Sequence, residues 1–335
     1  MHRVLARVHS VLATPIAVGL LSLSGALPTG FDSGIEQEGA DQPEVHRVDR
    51  GEGAQALLVP IGEELRYGAT LRTALADLRV GTVEMKSGVD AKRRSLLSSA
   101  TNRGATETAW ISARAFGDYT LYVMDAQLET RFLGEGWPYS VHKYDHRGTE
   151  KRRRELLTGE KNGEWVGSYR GDTSRGAPEG LRIWGGVHEQ PVPRGAMDTL
   201  TAVYLVRSAM AEGLDQVQFA MLDKTRIWDV SVELGDVREV ETPAGLFRAR
   251  PVGLETRRID PGAEQESDDE EDSGEFAGPF GIKGNIELLL EVETGIPLVI
   301  RGELPLVLGD LEIDLRLESF TGTPSEFAPL QREDG

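Results

Sequence analysis

MDTLTAVYLVRSAM, Met197 to Met210, decides the fold, because it is the stretch of this 335-residue chain that breaks an otherwise strand-like rhythm. Apolar residues occupy nearly the whole circumference of a helix drawn through it, and Asp198 stands where a side-chain oxygen caps the first free N–H groups. Arg207 is its one charge after that cap. A helix that is apolar on all sides belongs inside a domain, so the fold depends on what surrounds it.

On either side the apolar residues keep a period of two, the mark of half-buried strands. Ile61, Leu65, Tyr67, Ala69 and Leu71 alternate with polar neighbours, and further strands are expected at 81–86, 108–115, 119–126, 128–132 and 139–144. More are expected at 164–169, 216–222, 226–234, 238–241, 247–254, 285–293, 298–304 and 311–317. Asn162-Gly163 and Thr242-Pro243-Ala244-Gly245 supply the turns that close hairpins. The expectation is a mainly β protein. One large antiparallel domain would cover 58–320, its sheet strongly curved or an incomplete barrel, packed around the buried helix at about 197–210.

The flanks read differently. His2, Arg3 and Arg7 precede an apolar run from Val11 to Leu23, and Ser24-Gly25-Ala26 offers small residues for cleavage, so 1–26 is expected to be a secretory signal peptide. The run is interrupted by Pro15 and Gly19 and falls short of the roughly 20 apolar residues a spanning helix needs. After cleavage no stable transmembrane span is expected, and the expected address is the periplasm of a bacterial-type envelope. Residues 27–57 read as a flexible linker and 321–335 as a polar tail. Glu264 to Glu275 holds eight carboxylates in twelve residues, within an acidic insertion at about 258–281 that is expected to be disordered. It lacks the alternating ligands and central glycine of a calcium loop.

Composition removes several function classes. The formal charge is -18, and about -20 without Arg3 and Arg7, which opposes binding to nucleic acid or to anionic headgroups. Zero cysteines exclude disulfides, thiolate metal sites and cysteine nucleophiles. There is no Gly-x-Ser-x-Gly elbow, no His-Glu-x-x-His, no phosphate loop and no dinucleotide fingerprint. His142 and His146 flank Asp145, but on a strand their side chains stand roughly 13 Å apart, too far for one ion. No metal and no cofactor are expected.

Three groups of polar residues remain as candidates. Glu129 beside Arg131, with Asp125 on the preceding stretch, reads as cross-strand pairing on a sheet face ahead of a polar site. Lys151-Arg152-Arg153-Arg154, the one basic cluster, reads as balancing nearby carboxylates. Tyr204 and Arg207 are three apart and share a helix face, so if buried they must find partners. With Asp198 they form either an internal hydrogen-bond network or a polar patch lining a cavity.

At these residues the chain resembles a bacterial family catalogued as domain of unknown function 3108, whose members are mostly exported. Ile61-Gly62-Glu63-Glu64-Leu65-Arg66-Tyr67 is similar to its "G-E-x-L-x-Y" strand, and Asp125 to Thr130 to its "D-x-x-E-S/T" strands. Tyr144 to Arg154 is similar to its "Y-x-x-x-x-x-x-G-x-x-x-R" region. Asp198 to Arg207 matches "D-x-L-S-x-x-Y-x-x-R", with Thr201 where serine is common. Glu239 to Ala249 is similar to "E-x-V-x-T-P-x-G-x-F-x-A", and Gly295 to Leu298 to the strand before a C-terminal hairpin. The resemblance spans about 58–320 and implies envelope placement and a curved β fold, with no activity attached.

The sequence thus points to a non-enzymatic envelope protein whose partner is an apolar small molecule or an envelope protein. An enzyme using Asp125, Glu129 and Arg207 around a cleft, and a purely structural assembly protein, are the alternatives.

Overall fold

A computed structural model describes residues 46–47, 57–72, 77–90, 108–119, 122–133, 139–173, 181–259, 275–306, 309–324 and 327–330. They all lie in one compact unit, Pro43–Gly335. The expected signal at 1–26, nearly all of the linker at 27–57 and the acidic run at 260–274 lie outside the described residues.

Sixteen strands and one α-helix are found among the described residues. The first half contains β1 (His46–Arg47), β2 (Glu64–Arg72), β3 (Asp77–Asp90), β4 (Thr108–Tyr119), β5 (Tyr122–Leu133), β6 (Tyr139–His146), β7 (Arg152–Lys161), β8 (Glu164–Gly171) and β9 (His188–Pro191). The helix α1 (Thr199–Ala211) follows. The second half contains β10 (Gln216–Asp223), β11 (Arg226–Leu234), β12 (Arg238–Thr242), β13 (Gly245–Arg258), β14 (Lys283–Glu291), β15 (Pro297–Leu306) and β16 (Gly309–Thr321).

They form one sheet in the order β1-β10-β11-β13-β14-β15-β16-β2-β3-β4-β5-β6-β7-β8-β9, with β12 folded onto β13. Two hairpin meanders, before and after α1, are thus joined where β16 pairs antiparallel with β2. Every pairing is antiparallel except the two-residue contact of β1 with β10. The two ends of the sheet meet through side chains instead of a ladder. Leu156 and Val192 pack with Ala220, Leu222 and Ile227, and Gln190 Nε2 donates to Thr225 O at 2.8 Å. This is the incomplete barrel expected from the sequence.

The helix fills it. Asp198 is the N-cap as expected, and ten of the thirteen helical residues are buried. Against α1 pack β4, β5 and β10. At the far end Gly213, at φ 76°, adopts a left-handed conformation that side chains disfavour. There Gly213 N donates to Met210 O and Leu214 N to Ala209 O, at 2.8 and 2.9 Å, a Schellman closure that satisfies the last carbonyls. Leu200, fully buried between helix and sheet, contributes about 1.5–3 kcal/mol by leaving water.

Several local expectations needed revision. Ile61, expected to alternate inward with Leu65, is 75% exposed, while Glu63 is buried. Gly62 at φ 78° turns the chain there, so β2 starts at Glu64. The piece expected at 119–126 begins on Tyr119, the last residue of β4, and its described remainder from Tyr122 forms one strand, β5, with the piece expected at 128–132, because Gln127 continues the outward-facing polar row opposite Arg114 and Asp145. Strands β7 and β9 were not expected at all. The Asn162-Gly163 turn closes β7 onto β8 with both residues at positive φ, 57° and 86°. The expected insertion at 258–281 is described only at its ends, where Arg258 closes β13 and residues 275–281 pack against the sheet. Within the expected tail Phe327 is buried, stacked on Phe247 at 5.1 Å between ring centroids.

Candidate functional site

Helix α1 carries two polar clusters, one at each end of its buried length. Asp198 caps the first turn: its Oδ1 accepts from Leu200 N and Thr201 N, both at 3.0 Å, and its Oδ2 accepts from Thr201 Oγ1 at 2.6 Å. Thr130 on β5 donates its hydroxyl to the same Oδ1 at 3.0 Å. His142 on β6 stands opposite Thr130 in the ladder, which brings its Nδ1 to 2.8 Å from Thr130 Oγ1 and 3.2 Å from Asp198 Oδ1.

With the Thr130 hydroxyl donating to Asp198, the tautomer that fits this geometry carries its proton on His142 Nδ1, where Thr130 Oγ1 and Asp198 Oδ1 accept it, and leaves Nε2 as an acceptor. Burial opposes a charge on Asp198, but His142, the Thr201 hydroxyl and the Thr201 N–H together hold its carboxyl far below the usual carboxylate range.

The second cluster is closed. Arg207 Nη1 and Nη2 donate to Glu63 Oε1 and Oε2 at 2.7 and 2.8 Å, with side chains only 6% and 1% exposed. The guanidinium lies 4.9 Å from the Tyr204 ring centroid. Burial works against the Arg207 charge, yet Glu63 raises its pKa, and burial drives both Tyr67 and Tyr204 upward so that both stay protonated. Tyr67 donates its hydroxyl to Pro297 O at 2.8 Å. The Tyr204 hydroxyl sits beside Ser87 and Arg207 without a well-formed hydrogen bond, since the Ser87 hydroxyl is turned to Pro60 O at 2.7 Å.

The Asp198 end opens to a cavity. A cleft of about 430 Å³ lies over it, lined by Asp198, Thr199 and His142 together with Tyr144, Arg152 and Arg154. Leu128, Leu156 and Tyr169 give it apolar walls, and Asp223, Lys224, Glu275 and Lys283 stand on the side of β10 and β14. Three alternating rows build the inner wall: Leu128 and Thr130, His142 and Tyr144, then Arg152, Arg154 and Leu156. Tyr144 is held between two guanidinium groups, Arg152 at 5.8 Å and Arg154 at 5.4 Å from its ring centroid.

The charges are unequal in their commitments. Arg152 Nε pairs with Glu150 at 2.7 Å and Lys283 with Glu275 at 3.3 Å. Arg154 makes no ion pair among the described residues and has only the Tyr144 face. Burial pushes the Tyr144 hydroxyl above its ordinary value, so that residue remains a neutral donor. Burial likewise pushes His146, behind this wall, down toward its neutral form.

The sequence candidates therefore separate. Asp198 joins the cleft; Tyr204 and Arg207 do not. Asp125 pairs with Arg114 at 3.2 Å and Glu129 with Arg131 at 2.6 Å, in the outward-facing row of β5. The expected enzyme grouping of Asp125, Glu129 and Arg207 is not assembled, because the first two point away from the helix that carries the third. The basic cluster also splits by strand parity. Arg153 faces outward to Asp172 at 2.8 Å and the Trp184 ring at 4.1 Å, while Arg152 and Arg154 face inward. Balancing of carboxylates describes Arg152 and Arg153, but not Arg154. Sequence reading missed Thr130, Tyr144 and Arg154 as one site with His142. The available signal was their common parity across β5, β6 and β7. Among the described residues no three His, Asp or Glu side chains gather as metal ligands.

No family model matches the chain, and no curated protein does. Two solved structures are similar in chain path. A β-barrel-like protein of the domain of unknown function DUF1849 from Brucella abortus aligns with 78% of this chain and 98% of its own, at 10% identity and a TM-score of 0.44. A putative exported protein with a YmcC-like fold from Bacteroides fragilis aligns with 80% of this chain and 100% of its own, at 11% identity and a TM-score of 0.28. No described helix is long and apolar enough to cross a membrane.

Proposed function

We propose that the chain is an exported, non-enzymatic protein of the bacterial envelope, resident in the periplasm, whose cleft over the start of α1 binds a small apolar molecule bearing one acidic group. The observation that carries the reading is Arg154, a guanidinium in a cleft with no ion pair among the described residues. A carboxylate or phosphodiester there would gain a charge-assisted hydrogen bond, with Tyr144 O–H as a second donor. With Arg152 paired to Glu150 and Lys283 to Glu275, Arg154 offers the ligand a single positive charge, so a monoanion fits better than a dianion.

Export rests on the basic start and apolar run within residues 1–26. Residues of the motifs that carry the family resemblance meet in the fold: Glu63 binds Arg207, Thr130 binds Asp198, and Tyr67 lies in the same buried network as Tyr204. The envelope-partner version has its own support in Leu181, Ile183 and Val187, exposed beside the edge strand β9. A carboxylate enzyme, the second reading, now reduces to Asp198 acting through His142, whose ring lines the cleft.

Calorimetric titration of the purified chain with octanoate, octanol and Arg154→Gln as the control tests the proposal. The expected result is octanoate binding that weakens at least tenfold in the variant, a change of about 1.4 kcal/mol. Equal affinity for octanoate and octanol, or no loss in Arg154→Gln, would remove the acidic-ligand reading.

A further inference from the structure

One residue belongs to two cavities. Phe280 lines the polar cleft and also a small apolar pocket bounded by Leu71, Val80, Val83, Ala115, Met124 and Leu315. That pocket holds only about 50 Å³ of free space, against the roughly 150 Å³ that lets an apolar cavity take up benzene. With Phe280 seated, too little free space remains in that pocket for a ligand tail. Phe280 is the residue that these two spaces share.

The segment carrying that ring is held loosely at this end. Its turn, Pro279–Gly281, places Phe280 at φ 60° and Gly281 at φ 80°. A bulky side chain in the left-handed region is an outlier that persists only while its surroundings impose it. The backbone hydrogen bonds shown for residues 275–282 close within the segment: Gly278 N to Ile282 O, Gly281 N to Gly278 O and Ile282 N to Pro279 O, at 2.7, 3.1 and 3.3 Å. What holds it to the barrel is packing. Phe276 meets Trp228 edge-on at 5.6 Å between centroids, and Ile282 is buried against Gly302. Between those two anchors the turn rests on β5 through Phe280.

We infer that Phe280 is a displaceable plug, and that the ligand is an amphiphile whose acid sits on Arg154 while its acyl tail takes the place of the phenyl ring in the barrel interior. The inference rests on the acid-binding reading of the cleft and adds the identity of the apolar part. Moving the Pro279–Gly281 turn outward lets Phe280 leave the left-handed region and exposes a pocket walled mainly by aliphatic side chains and methionine, with almost no polar surface for a headgroup. The tail thus replaces one apolar occupant by another, and the hydrogen bonds of the sheet are untouched.

The test is a chain-length series of butanoate, hexanoate, octanoate and decanoate, titrated into the full chain and into Phe280→Ala. Affinity should rise about fourfold for each methylene that is buried, until the pocket is full. Phe280→Ala should bind octanoate at least fivefold more tightly than the wild type and butanoate equally well. Affinity independent of chain length and of residue 280, with Arg154→Gln still weakening every acid, overturns the plug and leaves the cleft reading standing. No binding of any acid overturns both. If Phe280→Ala does not fold, the wild-type series and Phe280→Leu make the same decision, since a smaller plug must still steepen the dependence on tail length.

Discussion

The two ends of α1 use similar chemistry to opposite purposes. Each places a charged helix residue against a partner of opposite character from a distant strand: Asp198 against His142 of β6, Arg207 against Glu63 just before β2. At the Arg207 end the pair is bidentate and sealed, and the aromatic rings of Tyr204 and Tyr67 exclude water. At the Asp198 end the cap is equally buried, but the histidine it orients is 13% exposed on the wall of a cleft. A sealed pair of this kind fixes how helix and sheet meet. An oriented ring at a cavity wall is in a position to meet a ligand.

The largest expected effect lies at the sealed end. Arg207→Met strands the Glu63 carboxylate in the core and should destabilise the fold by about 3–5 kcal/mol, as loss of one partner of a buried pair does. Adding Glu63→Leu should recover at least half of that, because most of the loss is the stranded charge. Urea unfolding of both variants measures this, and a single-variant loss under about 1 kcal/mol would show that the pair is not sealed in solution.

Asp198→Ala comes next, at about 2–3 kcal/mol, combining a lost cap with buried donors left without an acceptor. This loss should depend on pH in a defined direction. The folded carboxyl is held below its unfolded value of about 3.9, so its contribution is complete above that pH and fades as the pH falls below it. The gap between wild type and variant should therefore narrow in acid. A gap that is constant from pH 6 to pH 3 would contradict an ionised cap.

How much of this the sequence disclosed follows from what each residue does. The helix and its cap were legible because Asp198 precedes a run with a single charge, and most strands were legible because apolar residues alternate where one face is dry. The β7 strand was not, since its inward positions include Arg152 and Arg154, which face a wet cleft and break the apolar alternation. The same polarity that hid the strand marks the site. Glu63 was hidden for the converse reason: a carboxylate at an inward position looks like an error until its partner, 144 residues away, is known. Thr130 and His142 needed the register of β5 on β6, which composition and periodicity do not specify.

Tyr204→Phe sharpens the comparison by a smaller margin. The hydroxyl is buried without a well-formed bond, so removing it should leave stability unchanged or raise it by up to about 1 kcal/mol. A loss beyond about 1 kcal/mol, read by the same urea titration, would mean that the hydroxyl is engaged with Ser87 or Arg207 in solution.

The smallest effect on stability is expected at the open end, and it separates structure from function most directly. Arg154 rests on the Tyr144 ring, without an ion pair among the described residues. Arg154→Gln keeps the aliphatic stem and a polar head and gives up a cation–π contact worth about 0.5–1 kcal/mol at a partly exposed site. The unfolding midpoint should move little, whereas octanoate binding should fall at least tenfold. Arg207→Met gives the reverse pattern, since it disturbs the core and leaves the cleft lining in place. If Arg154→Gln instead unfolded the protein as readily as Arg207→Met, the two ends of the helix would be one structural network and the cleft would lose its claim to a separate role.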